Sequence, residues 1–461
     1  LASAAVVAVA VLVALTVVPA LIGILGKRLL PRRRRTADGG ADAERRPASL
    51  WVRAVTRRPW VTIGAVVVLL GLCAVPASGL RLALTDNGFA EKGSQQRETY
   101  DAVAAAYGKG YNSPIIVIAD VSQPSGSVAA VQGLAQELSQ LDGVEGVSLA
   151  TPNQDGTLAF VQIRPEKSQA DPATMELVRS IRSHADDYES RYGLADLMVT
   201  GQTAVAIDIA EELNAALVPF GIVVVGLSLI LLMVVFRSVA APLTATLGYL
   251  LSLGAGMGAV GAVFGWGWAA DLLAVSKVGA VTSFLPVVVM GVLFGLAMDY
   301  QVFLVSRMRE EWNRRRGGAT PAARHEAAAV AVKAGFLGSA KVVAAAAVIM
   351  TGVFVAFVHT DNVYVKPIAL GLTVGIAADA FLVRMTLIPA IMVALGEKAW
   401  WLPAWLDRLL PVVDVEGESL EQALEQEEAD AGQSVRPETD SVDDQAEDAE
   451  DAEDKEAAVV S

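Results

Sequence analysis

The 461-residue chain has one cysteine, Cys73, so no internal disulfide can form and any part that folds outside the cell must do so without one. Cys73 itself sits in an apolar run and reads as a small apolar helix residue. Histidine is scarce: His184, His325 and His359 fall on both sides of the membrane organisation drawn below and cannot form one metal site. There is no G-x-x-x-x-G-K-[ST], no H-E-x-x-H and no G-x-S-x-G, so nucleotide, zinc-protease and serine-hydrolase chemistry lack residues to carry them. Charge is thin as well, at 19% Asp, Glu, Lys and Arg against about 25% in soluble domains.

What is abundant is apolar: 54% of the residues, collected in runs of about twenty, the length that spans a ~30 Å hydrocarbon core. The chain reads as an integral membrane protein, and a soluble enzyme is excluded. Seven spans are expected, at roughly 3–25, 60–79, 207–235, 242–264, 279–305, 338–358 and 367–395. The first run, Val6 to Leu25, is preceded by neither Met nor basic residues. It is therefore read as a membrane helix whose upstream sequence is missing, and not as a signal peptide.

Arg32 to Arg35, Arg45, Arg46, Arg53, Arg57 and Arg58 follow that first span, and Arg307, Arg309, Arg314, Arg315, Arg316 and Arg324 follow the fifth. Both basic loops belong in the cytoplasm by the positive-inside rule, and both give the same topology. The expected organisation begins with a helix at 1–26, a basic cytoplasmic linker at 27–58 and a second helix at 59–80. An extracytoplasmic domain at 81–205 precedes a five-helix bundle at 206–396, an interfacial segment at 397–413 and an acidic cytoplasmic tail at 414–461. The eight Trp residues all lie near span ends and read as interface anchors.

The net charge of −14 belongs to the tail, where nineteen Asp or Glu face only Arg436 and Lys455. With no aromatic residue, the tail reads as disordered and repels nucleic acid. It is either a solubilising extension or a docking site for a basic cytoplasmic protein.

A repeat is the most informative internal pattern. Leu12-Val13-Ala14-Leu15-Thr16-Val17-Val18-Pro19-Ala20 returns 370 residues later as Leu382-Val383-Arg384-Met385-Thr386-Leu387-Ile388-Pro389-Ala390, and Leu25-Gly26 returns as Leu395-Gly396. Symmetry of this kind is common in transporters built from two halves, so the chain reads as a second half plus the last helix of a missing first half. Residues 81–205 are too polar for membrane and too long for a connector. Strands at Ser113–Val121, Val144–Ala150, Thr157–Arg164 and Asp196–Gly201, with helices at Ser127–Leu141 and Asp171–Ala185, give the order β-α-β-β-α-β of an α+β ferredoxin-like unit. Its helices would cover one sheet face and leave the other for a partner domain or a substrate path.

Asp299 is the residue most marked out for chemistry. It precedes Arg307 by eight residues, about 12 Å of helix, which puts it near the membrane midplane. A charge there costs at least ~2.5 kcal/mol, so it is not expected to face lipid. Gly291 and Gly295 share its stripe and are expected to let a neighbouring helix approach closely. A desolvated carboxylate has a raised affinity for protons, so Asp299 reads as a proton carrier, with Tyr300 as a hydrogen-bonding companion. Asp379 is expected to assist the relay and Arg384 to fix packing. Five residues apart, the two lie about 140° apart on an α-helix and are expected to seek other partners. Lys341, near a span end, can snorkel. Asp208, Glu211 and Glu212 open the third span and read either as an outer access path or as a solvated helix start. Gly254 and Gly258 form a G-x-x-x-G that signals close helix packing. No cofactor is expected, and with no nucleotide motif an ion gradient is the simpler energy source.

The stretch Phe294-Gly295-Leu296-Ala297-Met298-Asp299-Tyr300-Gln301-Val302-Phe303-Leu304-Val305-Ser306-Arg307-Met308-Arg309-Glu310-Glu311 resembles the signature of the MMPL transporters of the resistance-nodulation-division superfamily. Phe236-Arg237-Ser238 and Phe381-Leu382-Val383-Arg384 with Pro389-Ala390 resemble the same family, and the likeness runs over about 1–410. The resemblance implies a plasma-membrane, proton-driven exporter of lipids, glycolipids or hydrophobic drugs with about twelve spans in two halves, actinobacterial in type. It places the family's proton-relay pair on Asp299 and Tyr300, and the matching first-half pair is not in this sequence. Expected partners are membrane lipids, a lipidic or hydrophobic cargo, the missing N-terminal half and a second copy in a homo-oligomer. Two other roles compete: a sensor or scaffold resembling the sterol-sensing relatives, and a protein-translocation motor.

Overall fold

In a computed structural model of the chain, the structure describes residues 2–25, 40–122, 128–315 and 320–410. The side chains of residues 2–4, 40–47, 299–300, 321–322 and 409 lie outside the described residues, as do residues 27–39 of the basic linker and the whole acidic tail. The helices in chain order are α1 (Ala2–Leu25), α2 (Gly40–Arg57), α3 (Pro59–Ala74), α4 (Gln95–Tyr107), α5 (Val128–Leu138), α6 (Pro172–Ser183) and α7 (Ala185–Tyr192). There follow α8 (Gln202–Phe236), α9 (Ala240–Val260), α10 (Leu285–Arg315), α11 (Pro321–Val358), α12 (Val365–Ala377), α13 (Ile388–Leu395) and α14 (Ala404–Leu409). Strands β1 (Leu82–Ala83), β2 (Ile115–Asp120), β3 (Val144–Pro152), β4 (Leu158–Pro165), β5 (Ala195–Thr200) and β6 (Val281–Thr282) complete the set. Among the described residues seven helices are long and apolar enough to cross a membrane, as a multi-pass membrane protein requires.

Residues 115–200 form one antiparallel sheet in the order β3-β4-β2-β5. Alternate residues of β2 (Ile115, Val117, Ala119) and β4 (Ala159, Val161, Ile163) point to one face, where α5, α6 and α7 bury them. The other face carries Leu149, Leu158 and Met198 exposed. Sheet and membrane are joined by α8. Its first turns put Thr203, Ala204 and Ile207 into the domain interior. At 35 residues it is about 50 Å long, more than a bilayer needs. Arg182 of α6 grips Asp208 at 2.5 Å, and Arg179 grips Glu211 at 2.6 Å, so the domain is tied to this rod by charge as well as by apolar contact.

α9 runs through the middle of the bundle between α3 and α12, and glycine makes that possible. A side chain at Gly258 would strike the carbonyl of Cys73 on α3, and one at Gly256 would lie 2.5 Å from the carbonyl of Gly371 on α12. Gly254, the other end of the G-x-x-x-G, faces Ala74. By contrast α1 is exposed along its described length and meets no comparable partner among the described residues.

Three local features were not visible in the residue pattern. The linker at 27–58 contains α2, whose Val52 and Val55 are buried and whose Trp51 indole donates to the Met385 carbonyl at 3.0 Å. The sixth helix starts at Pro321, not at 338, capped by the Thr320 hydroxyl. Both segments mix Ala or Val with charged residues, so hydropathy passes over them. Trp312 and Trp400 are buried against protein, and the Arg309 guanidinium lies 5.4 Å from the Trp400 ring centroid. The Phe236-Arg237-Ser238 corner explains how Trp400 is held. Arg237 closes α8 in the left-handed region (φ 42°) and bridges Asp407 at 2.6 Å, and the Ser238 hydroxyl donates to the Ala399 carbonyl at 2.6 Å.

Gly258→Val will force α9 off α3, costing about 1–3 kcal/mol or more, because the obstacle is backbone and cannot rotate away. Gly226→Ala, on open space, will be near neutral. Thermal unfolding of the purified protein in detergent compares the two, and equal midpoints would contradict the packing described.

Candidate functional site

Inside the bundle the described ionisable pair is Asp379 and Arg384, at 6% and 2% exposure. The expectation that they would not meet is overturned: Arg384 Nε donates to Asp379 Oδ2 at 2.5 Å. The cause is the local backbone. Between α12 and α13 the segment Ala378–Leu387 is π-helical, with hydrogen bonds reaching five residues back, so residues five apart stack instead of diverging. Thr386 reports the same register, its hydroxyl donating to the Phe381 carbonyl five residues back. The repeat copy supplies a control within the chain. There Val9 and Ala14 take the places of Asp379 and Arg384, α1 remains α-helical, and Thr16 donates to Leu12 only four residues back. The widened turn accompanies the charged pair.

Arg384 also reaches across to α10, where Nη2 donates to the Ala297 carbonyl. Beside this junction is a cavity of about 20 Å³, room for about one water. Ser228 of α8, Thr246 and Tyr249 of α9 and Gln301 of α10 help to line it. Gln301 is 3% exposed, and neither its Nε2 nor the Thr246 hydroxyl has a partner among the described residues. Two buried donors beside a buried ion pair are what a bridging water would satisfy. Tyr249 is fixed by donating to the Met290 carbonyl at 2.9 Å and by an edge-on Phe294 ring, and Ser228 donates to Met298 Sδ at 3.7 Å.

Asp299 and Tyr300 lie on α10 between Met298 and Gln301, and their side chains fall outside the described residues. Among the described residues no helix comes close to the two glycines: a side chain at Gly295 would meet nothing within 4 Å, and one at Gly291 only the Phe220 ring at 3.8 Å. The face of α10 that the described chain buries runs instead through Leu293, Ala297, Gln301, Leu304 and Met308. Asp208 and Glu211 are engaged by α6, as above, while Glu212 is exposed on α8. Sequence reasoning missed Gln301 and Thr246. Gln301 carried a usable signal, a polar side chain inside a span, whereas Thr246 is common in such helices and carried little. Among the described residues no group of three His, Cys, Asp or Glu gathers to hold a metal.

The description "MMPL family" matches residues 1–62 and 91–411. Membrane protein YdfJ of Bacillus subtilis is 37% identical over 91% of this chain and 55% of its own length. The mycolic acid-containing lipids exporter MmpL11 of Mycolicibacterium smegmatis is 30% identical over 89% of this chain and 42% of its own length. The heme uptake protein MmpL11 of Mycobacterium tuberculosis is likewise 30% identical, over 88% of this chain and 41% of its own length. The chain thus spans about half the length of the curated relatives it matches.

Removing one partner of the pair strands a buried charge, so Arg384→Met and Asp379→Leu will each cost about 3–5 kcal/mol of stability. The double variant will recover most of that loss. Denaturant unfolding of all four proteins forms the cycle, and additive losses would show that the pair is not coupled.

Proposed function

The chain belongs to the MMPL family, and on that premise we propose that it is the second-half membrane unit of a proton-driven exporter of lipids, glycolipids or other hydrophobic molecules. The observation that carries the reading is the polar junction inside the bundle, where Arg384, paired to Asp379, binds the α10 backbone at Ala297, two residues before Asp299. Asp299 is the proton carrier and Tyr300 its hydrogen-bonding companion. Asp379 balances the charge of Arg384, and the water-sized space by Gln301 and Thr246 serves as a hydration point for the proton.

Residues 81–205 form the extracytoplasmic porter domain. A ferredoxin-like assignment is supported by the strand order β3-β4-β2-β5, in which the two central strands come first and third along the chain. Its fastening to α8 gives a rigid path by which a shift in the bundle moves the domain. The two basic loops support a cytoplasmic position for the other side, with the acidic tail, in a plasma-membrane protein. A first half, for which the greater length of the relatives leaves room, supplies the second relay pair. Lipid cargo is supported by the name of the Mycolicibacterium relative, and the heme uptake name of the other makes heme the second cargo to be assayed.

In source cells lacking the full-length gene, one surface lipid class will fall and accumulate inside. Wild type will restore it, and Asp299→Asn at equal expression will not. Full restoration by Asp299→Asn would overturn the relay and favour a sensor or scaffold. A defect in heme acquisition with unchanged lipids would redirect the cargo, and accumulated preproteins would indicate a translocation motor.

A further inference from the structure

A second polar site lies at the junction between the domain and the bundle, away from the Asp379–Arg384 pair. Three segments wall a cleft there. The stretch after β1 contributes Thr85 and Phe89, the α9–α10 connection contributes Lys277, and the start of α12 contributes Asp361, Asn362 and Lys366. Lys366 is 6% exposed, and its Nζ donates to the carbonyls of Leu273 and Ala274 at 2.9 Å each. Those bonds hold Ala274 in the left-handed region (φ 48°), which residues with a side chain rarely adopt. An ammonium has three donors, so one remains.

Lys277 is half-buried with its Nζ 4.2 Å from the Phe89 ring centroid, and it has no carboxylate at ion-pair distance among the described residues. Burial pushes its ammonium below the usual lysine range. An anion brought beside it would offset that desolvation. Asp361 is exposed and pairs with neither lysine. The Thr85 side chain is 8% exposed, and its hydroxyl has no partner among the described residues. The 13-residue α12 begins at the same wall, adding the positive end of its dipole.

We propose that this cleft binds the anionic headgroup, phosphate or carboxylate, of a membrane lipid between Lys277 and Lys366. The enclosed part, about 20 Å³, takes one anionic oxygen, and the rest of the headgroup lies in the open mouth. A lipid is favoured over a free anion by the loop that carries Lys277. Its Trp266, Trp268 and Leu272 are 46%, 64% and 85% exposed, the arrangement that seats a segment at headgroup depth. Leu272 directly precedes the carbonyls that hold Lys366, so the apolar anchor and the cationic wall are parts of one turn. The site gives the lipid-export reading a charge preference and rests on that reading for its role in transport.

The test uses the full chain in phosphatidylcholine discs with and without phosphatidylglycerol, with retained lipid counted by native mass spectrometry. Wild type will retain phosphatidylglycerol selectively, and inorganic phosphate will not displace it. Lys277→Gln will lower retention on the order of tenfold, and Lys277→Arg will keep it, which separates charge from folding. Equal retention by Lys277→Gln would overturn the site, and displacement by inorganic phosphate alone would make it a free-anion site and overturn the lipid assignment. Lipid retention that depends on Lys277, in a protein whose wild-type gene exports nothing in cells, would uphold the site and overturn the transport reading.

Discussion

The Asp379–Arg384 pair sets the conditions for the rest of the bundle. Two opposite charges inside a membrane protein persist only if each is held by the other and by further hydrogen bonds. The chain meets that demand by widening one helix turn, so that residues five apart face each other, and by giving the guanidinium a backbone carbonyl on α10. The helix that carries the pair is thereby locked to the helix that carries Asp299. The repeat copy near the start of the chain, with Val9 and Ala14 at the same places, needs no such turn and has none.

Around that lock, glycine and charge divide the work of assembly. Gly256 and Gly258 let α9 touch backbone on both sides, so the centre of the bundle has little freedom to deform gradually. The domain is joined through one continuous helix, α8, whose early turns sit in the domain interior and whose acidic residues are gripped by α6. A displacement in the bundle therefore has a stiff route to the sheet. The Arg237 corner closes the opposite end by holding the segment around Trp400 against α8 and α9.

Much of this was legible in sequence because hydropathy and alternation are direct consequences of burial. The seven spans, apart from the start of the sixth, and the strands β2 to β5 fall close to where the residue pattern puts them. What failed to show depends on geometry that composition does not encode. A π-turn changes which residues are neighbours without changing any of them, so the Asp379–Arg384 contact was invisible. Glycine spacing says that a close approach is permitted but not which helix arrives: Gly258 has its neighbour, whereas Gly295 meets nothing within 4 Å among the described residues. Amphipathic α2 and the early turns of α11 are too polar to register as spans. Buried Trp312 and Trp400 look, in sequence, like the exposed Trp401 and Trp405.

The central claim is that a carboxyl group beside this junction takes up and releases a proton while the protein stays folded. Infrared difference spectroscopy of the reconstituted full-length protein, carrying isotope-labelled aspartate and stepped across neutral pH, reads that event directly. The account predicts a protonated-carboxyl band from aspartate that grows as pH falls and is missing from Asp299→Asn. A spectrum with no such band, or one that the substitution leaves unchanged, would contradict it.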